Sequence, residues 1–395
     1  MLDAEVGIVG GGLAGSVAAA MLGRAGISCV LLDPHETYPA DFRCEKIDRP
    51  QLKLLAKTGL ADAILPYATP TPQMWVARFG RLLASRANGQ VGIAYDELVK
   101  AARAAIPERS VRVAAEVKAI STSATVQTIV TSDGLTFSVR LVILAVGLNN
   151  RLRESVGVSR QEVSKCHSLS IGFDAAPVDQ PNFKFPALTY FPERSASRVG
   201  YITFFPIKSA MRVNLFIYRE IRDPWLREFR SAPEATLLSS LPRLGRLVGQ
   251  FRVASDIHMR PVDLYITHGC RQAGIVLVGD AFSTSCPAAG TGISKVFTDV
   301  ERLCNVYIPR WLASEGMDAD KIGTFYEDPA KVACDAASAS RAYYLRSLAL
   351  DRRLTWRARR VAWCLTDLAS RVWHPSSAGY LRLEPEPNYR LGSVK

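Results

Sequence analysis

The stretch Val6-Gly-Ile-Val-Gly10-Gly-Gly12-Leu-Ala-Gly15 constrains this chain more than any other, because a short apolar strand runs into glycines and then into an alanine-rich helix. That order gives a strand, a phosphate turn and a helix start. Gly10 permits the tight turn, Gly12 lets backbone approach a pyrophosphate, and Gly15 lets the helix pack on the strand. Leu13 and Ala14 belong to the helix start, whose N–H groups face the anion. Asp33 closes the next apolar run, Cys29-Val-Leu-Leu32, 21 positions after Gly12, where a carboxylate bonds a ribose hydroxyl. The ligand expected is a dinucleotide of the FAD or NAD kind rather than NADP.

With 395 residues, 48% hydrophobic and 22% charged, the chain can bury a large core and hold two or three structural units. Its net charge of +12 comes from arginines and lysines spread without a nucleic-acid motif, so no nucleic-acid partner is expected. The eight cysteines form no CxxC pair, and Cys29 falls in a core strand; reduced thiols in a cytoplasm follow. No apolar run reaches the length of a membrane span, and the N-terminus lacks the basic segment of a signal peptide.

Taken in order, the pattern predicts strand 5–9, helix 13–25 and strand 28–32, a βαβ start that implies a parallel sheet. A helix from Arg49 with Pro50 in its first turn comes next, and 73–79 alternates like a strand outside the nucleotide sheet. Helix 95–105, strand 111–117 and a hairpin turning at Asp133-Gly134 follow, before the apolar run 141–147 returns to the sheet. Residues 161–263 are strand-rich as far as Tyr218 and helical over 223–250, which reads as an inserted sheet-bearing domain. Its Tyr190, Tyr201 and Phe205 are candidate walls for a flat substrate, with plain core packing as the alternative for each.

A second stretch, from Gly274 through Gly279, Asp280, Pro287, Gly290, Gly292 and Ile293 to Asp299, is again a buried strand, an acid and a glycine-spaced helix start. It offers a carboxylate for hydroxyls and a helix N-terminus for negative charge. The two sites together imply one extended ligand.

The joint pattern resembles flavoprotein monooxygenases of the para-hydroxybenzoate hydroxylase type, which pair an N-terminal glycine fingerprint with Gly-Asp, a six-residue spacer and Pro-x-x-Gly-x-Gly. The resemblance implies an α/β fold: a Rossmann-like FAD-binding domain at 1–160 completed by 264–310, a substrate domain at 161–263 and a C-terminal helical region at 311–395. It implies FAD, with Asp280 on the ribityl chain and the Gly292 and Ile293 amides at the flavin pyrimidine edge. By the same resemblance Arg43 reaches the cofactor and Val117 meets adenine through its backbone. Pro287 then lies near the flavin ring, where it either shapes the oxygen pocket or simply opens a helix. The activity implied is insertion of one oxygen atom from O2 into an aromatic or polycyclic small molecule through a flavin C4a-hydroperoxide.

The chain also departs from that family. Ala145-Val146-Gly147 stands where an Ala-Asp-Gly is common, which alters the handling of NAD(P)H. The donor is expected to act directly, with Arg153 available to its phosphate, or through a separate flavin reductase. Tyr190, Tyr201, His167 and His258 are the conceivable bases for a phenolic substrate, and no histidine has metal-ligand spacing. Trp356, Trp363 and Trp373, set among arginines in 341–373, read as a helix packed on the FAD domain in preference to a membrane contact. A flavin-dependent halogenase, a geranylgeranyl-reductase-like enzyme and a non-enzymatic binding protein share the fold and remain alternatives. Against the first, the Trp-x-Trp-x-Ile-Pro signature is absent.

Overall fold

The computed structural model describes residues 3–43 and 45–362. The first apolar run forms the strand Ala4–Val9, followed by the helix Leu13–Arg24 and the strand Cys29–Asp33. Ala4–Val9 pairs in parallel with Cys29–Asp33 on one side and with Thr136–Leu144 on the other. Val111–Ala114 extends the sheet beyond Cys29–Asp33, and Ile275–Leu277 pairs with Thr136–Leu144, both in parallel. Parallel strands covered by helices read as unbroken apolar runs, as Val6, Ile8, Leu141, Val142 and Ile143 do, all fully buried.

Two local expectations change. The run 111–117 breaks after Ala114, and Val117 instead opens the antiparallel strand Val117–Ser121, which pairs with Gln127–Thr131. The segment 223–250 is three short helices, Pro224–Ser231, Pro233–Ser240 and Gly245–Val248. Pro233 forces the break, because Ala232 before it is driven out of the helical region to φ −145°.

The second sheet runs Phe251–Val253, Ser159–Pro177, Ala210–Ile217, Val199–Ile207, Leu188–Phe191, Thr69–Arg78, Arg81–Gly92 and Lys46–Ile47, with His258–His268 beside Ser159–Pro177. The expected division at residue 160 therefore does not follow the sheets. Three strands between 46 and 92 cross into the second sheet, and His258–His268 continues past 263. Period-two alternation sorts its faces. Leu169, Ile171, Phe173, Val213, Leu215 and Phe204 pack against the short helices, while Ser168, Arg212 and Tyr201 point toward the nucleotide unit, where each bonds a residue of it.

After Ile275–Leu277 come the helix Gly292–Arg302 and, further on, Ala319–Tyr326 and Pro329–Leu350. Pro329–Leu350 is capped by Asp328, whose carboxylate accepts the Ala330 and Lys331 amides, and it crosses to the second sheet. Trp356, on a last helix at 354–362, is buried against Tyr344. Trp363 and Trp373 lie outside the described residues. Among the described residues no helix is long and apolar enough to cross a membrane.

Candidate functional site

A cavity of about 360 Å3 opens along the carboxyl ends of the parallel strands, from Asp33 past Gly12 and Val117 to Asp280. The glycines beside it divide their work. Gly10 has φ +101°, and a side chain there would stand 2.6 Å from the Ala145 carbonyl oxygen. A side chain at Gly15 would collide with the Gly10 carbonyl, which is the close helix-to-strand approach. Gly12 differs, because a methyl built on it meets only the Tyr38 hydroxyl, at 3.9 Å. Protein packing does not require a glycine there, and the space beside it is open. Gly12 caps Leu13–Arg24 and Thr291 caps Gly292–Arg302, both without a side-chain bond, so the first amides of Leu13, Ala14, Gly292 and Ile293 lack the usual cap. That fits an extended ligand with an anionic middle and an electron-rich ring edge.

Asp33 is held from three sides. Its Oδ2 accepts the Gly11 amide at 2.7 Å, and its Oδ1 accepts the His35 amide at 2.9 Å and lies 3.0 Å from Arg103. Arg103, a residue the sequence reading missed, is buried and donates from Nε and Nη2 to the Gly11 carbonyl at 3.0 and 2.6 Å. It fixes the acid and the turn to each other. Gly11 leaves it that room: a Cβ there would meet Arg103 Nη2 at 2.5 Å.

The two distant motifs meet through Arg43. Its Nε donates to Asp41 at 2.6 Å and its Nη1 to Asp280 Oδ2 at 3.1 Å, across 237 positions of sequence. Asp280 sits in the turn Gly279–Ala281, whose Gly279 amide donates to Asp299 at 2.9 Å. Asp299 is buried and paired with Lys331 at 2.8 Å; Lys331 also reaches Asp335 at 3.1 Å, and Lys295 lies 2.5 Å from the same carboxylate. Pro287 opens the short turn Pro287–Ala289, which ends at Gly290 with φ +66°. Gln51 donates to the Gly290 carbonyl at 2.8 Å and so ties the turn to the helix Arg49–Lys57.

Of the substrate candidates, only Tyr201 faces this region: it donates to the Ala288 carbonyl at 2.7 Å and lines a separate cavity. Tyr190 lies wholly buried on the opposite face, bonding Glu193 and the Gly80 amide. Phe205 packs with Met74, Ala187 and Ile207. Both are core residues by placement, because alternation turns Tyr190 to the helices and burial closes Phe205 off. His167 bonds Ser164 and the Ala342 carbonyl, and burial pushes it down to about 4. His258 stacks on Phe42. Arg153 is also corrected: it is 1% exposed and donates to Asn150, so it is not open to a phosphate. Arg160 reaches the carbonyls of Asp280 and Ala281 instead. A second residue missed from sequence is Glu45, buried beside Arg212 at 2.8 Å, with Oε2 unpartnered; burial pushes it up to about 7.

A family model described as FAD binding domain matches residues 3–307. The chain belongs to that family. Its fold is accordingly that of an FAD-dependent hydroxylase-type monooxygenase, and the chain is a flavoprotein enzyme. Among curated proteins it is 23% identical to 3-demethoxyubiquinol 3-hydroxylase of Escherichia coli (strain K12) over 332 residues, covering 77% of this chain and 79% of that one. The crystal structure of p-nitrophenol 4-monooxygenase PnpA from Pseudomonas putida DLL-E4 superposes with a TM-score of 0.72 at 18% identity, covering 94% of each chain. The crystal structure of halogenase PltM gives 0.68 at 14% identity, covering 88% of this chain and 76% of the other. Among the described residues no group of side chains could hold a metal ion.

Proposed function

We propose that this protein hydroxylates an aromatic or polycyclic small molecule with O2, holding FAD between the two glycine motifs. The observation that carries the reading is the Arg43–Asp280 contact, which joins the segment after the first motif to the acid of the second at one end of the 360 Å3 cavity. In this reading Gly12 leaves room for the pyrophosphate, Asp33 accepts a ribose hydroxyl, Val117 lies by adenine and Asp280 holds the ribityl chain. The FAD, when bound and reduced, supplies the activation of O2. The protein's part is to bind, orient and keep water out. The uncapped amides of Gly292 and Ile293 stabilise negative charge at the ring edge, and Pro287 and Tyr201 fix the loop that faces the substrate side.

Halogenation is the weaker reading. Lys295 and Lys331, beside the flavin turn, are locked in ion pairs with Asp335 and Asp299 and are not free to meet a halogenating species. Electron supply is proposed to come from NAD(P)H through a separate flavin reductase. The Val146 side chain cannot accept a hydrogen bond, and Arg153 is buried away from a phosphate. Oxygen uptake coupled one-to-one to a hydroxylated product supports the activity, whereas product formed without oxygen uptake would favour a prenyl-type reduction. Anaerobic stopped-flow mixing with NADPH and no reductase should bleach the flavin slowly; rapid bleaching would restore the self-sufficient form.

A further inference from the structure

A pocket of about 350 Å3 lies where the end of Ala210–Ile217, the irregular stretch around Cys166 in Ser159–Pro177 and the last turn of Pro329–Leu350 meet. None of its lining residues borders the cleft assigned to FAD. Arg198, Arg219, Arg346 and Arg352 converge on it from separated parts of the chain, and Glu220 is the only carboxylate among its lining residues.

The charges do not balance. Arg198 and Arg219 share one carboxylate, Asp223, at 3.7 and 3.0 Å. Arg346 donates from Nη1 to two neutral acceptors, the Cys166 carbonyl at 3.3 Å and the His167 carbonyl. Arg352 is exposed and makes no ion pair or hydrogen bond among the described residues. A carbonyl satisfies a donor without cancelling its charge, so four guanidiniums stand against Asp223 and Glu220. The next carboxylate, Asp263, accepts the Cys166 amide at 2.7 Å and the Tyr265 hydroxyl at 3.0 Å and pairs with none of the four.

A second observation comes from the backbone. Four non-glycine residues among those described have positive φ, and two of them, Cys166 at +40° and Arg198 at +53°, stand on this pocket. Such backbone costs of order 1 kcal/mol or more and persists where the surroundings hold it, which is common at ligand sites. Here both are held: the Arg198 carbonyl accepts the Tyr218 amide at 2.8 Å, and the Cys166 amide is fixed by Asp263. Arg346, bonded to the Cys166 carbonyl, is fixed with it. The cationic walls are therefore set before any ligand arrives.

We propose that this pocket binds a phosphate group between Arg198, Arg346 and Arg352, with Ala196 and Leu350 beside it to take the carbon body of an ester. Guanidinium forks match phosphate oxygens in geometry as well as in charge. The assignment stands whether or not the chain hydroxylates an aromatic substrate.

The test is calorimetric titration of the full chain, with and without FAD, using inorganic phosphate and phenyl phosphate as probes in a phosphate-free buffer. Saturable binding of one phosphate per chain is expected, weakening as salt is raised. Arg352→Gln and Arg198→Gln should each weaken it about tenfold, the loss of one charge-assisted hydrogen bond, and Arg352→Lys should keep more of the affinity than Arg352→Gln. Glu220→Gln should tighten it severalfold by removing the one lining carboxylate that opposes an anion. Equal affinity for the two probes assigns the site to free phosphate, and phenyl phosphate bound at least about tenfold more tightly assigns it to an organic ester. No saturable binding of either probe overturns the proposal, as does wild-type affinity in the double Arg198→Gln, Arg352→Gln variant, with a retained thermal unfolding midpoint showing that the variant is folded.

Discussion

Two buried titratable groups should give this protein a pH dependence that is hidden until one is removed. Glu45 is 4% exposed, with one oxygen unpartnered, and burial raises its carboxyl from 4.5 to about 7. The folded state then binds a proton that the unfolded state has lost, so this contribution is fully present below pH 4.5 and is lost as pH rises toward 7. His167 runs the other way. Burial lowers it from 6.5 to about 4, so its contribution is present above pH 6.5 and is lost as pH falls toward 4. Each shift corresponds to about 3 kcal/mol, and over the shared window the two nearly cancel. Glu45→Gln removes one arm while Arg212 keeps Asp174 at 2.7 Å. Urea unfolding measured between pH 4 and 7.5 should therefore be nearly flat for the wild type. For the variant it should lose about 3 kcal/mol as pH falls. Parallel profiles for the two proteins would refute the reasoning.

Asp280→Ala should weaken FAD binding by roughly ten- to a hundredfold, the loss of hydrogen bonds to a charged acceptor, with the fold retained; an unchanged FAD titration would remove Asp280 from the ribityl chain. Gly12→Val should abolish FAD uptake with the fold retained, since nothing of the protein lies closer than 3.9 Å to a Cβ built there; normal uptake in a fluorescence titration would put the cofactor elsewhere. Lys331→Met leaves Asp299 without its buried partner and should cost about 3–5 kcal/mol in thermal or urea unfolding, with a loosened Gly279 turn.

What the sequence made legible was whatever is encoded locally. Gly10, Gly12 and Gly15 stand within six residues of each other, and a side chain at Gly10 or Gly15 would collide with backbone while one at Gly12 would not. Asp280 and Arg43 could be singled out, but that they touch depends on the whole intervening chain folding back. The residues missed are those whose meaning is purely tertiary. Arg103 looks like a surface arginine in the last turn of Tyr95–Ala104 until the helix lays it against Gly11. Glu45 sits in an irregular connection with no periodic signal, and its burial comes from the second sheet through Arg212. Tyr190 turns to the helices because an alternating strand marks two faces without saying which faces the flavin domain, while Phe205 shares the Tyr201 face but is buried among Met74, Ala187 and Ile207. That the sheets do not divide at residue 160 has a related reason: Arg81–Gly92 mixes Arg81, Arg86 and Gln90 with its apolar residues, so its sheet membership rests on its partner Thr69–Arg78.

The central claim is that two motifs far apart in the sequence, at 6–15 and 274–299, hold one FAD across a single cleft. It is tested most directly by titrating the purified protein, freed of flavin, with FAD and separately with FMN, and reading the absorbance of bound flavin. The account predicts one FAD per chain and FMN at least a hundredfold weaker, because FMN leaves the Asp33 and Gly12 end of the cleft empty. Equal affinity for FMN, or no flavin taken up at all, would contradict it.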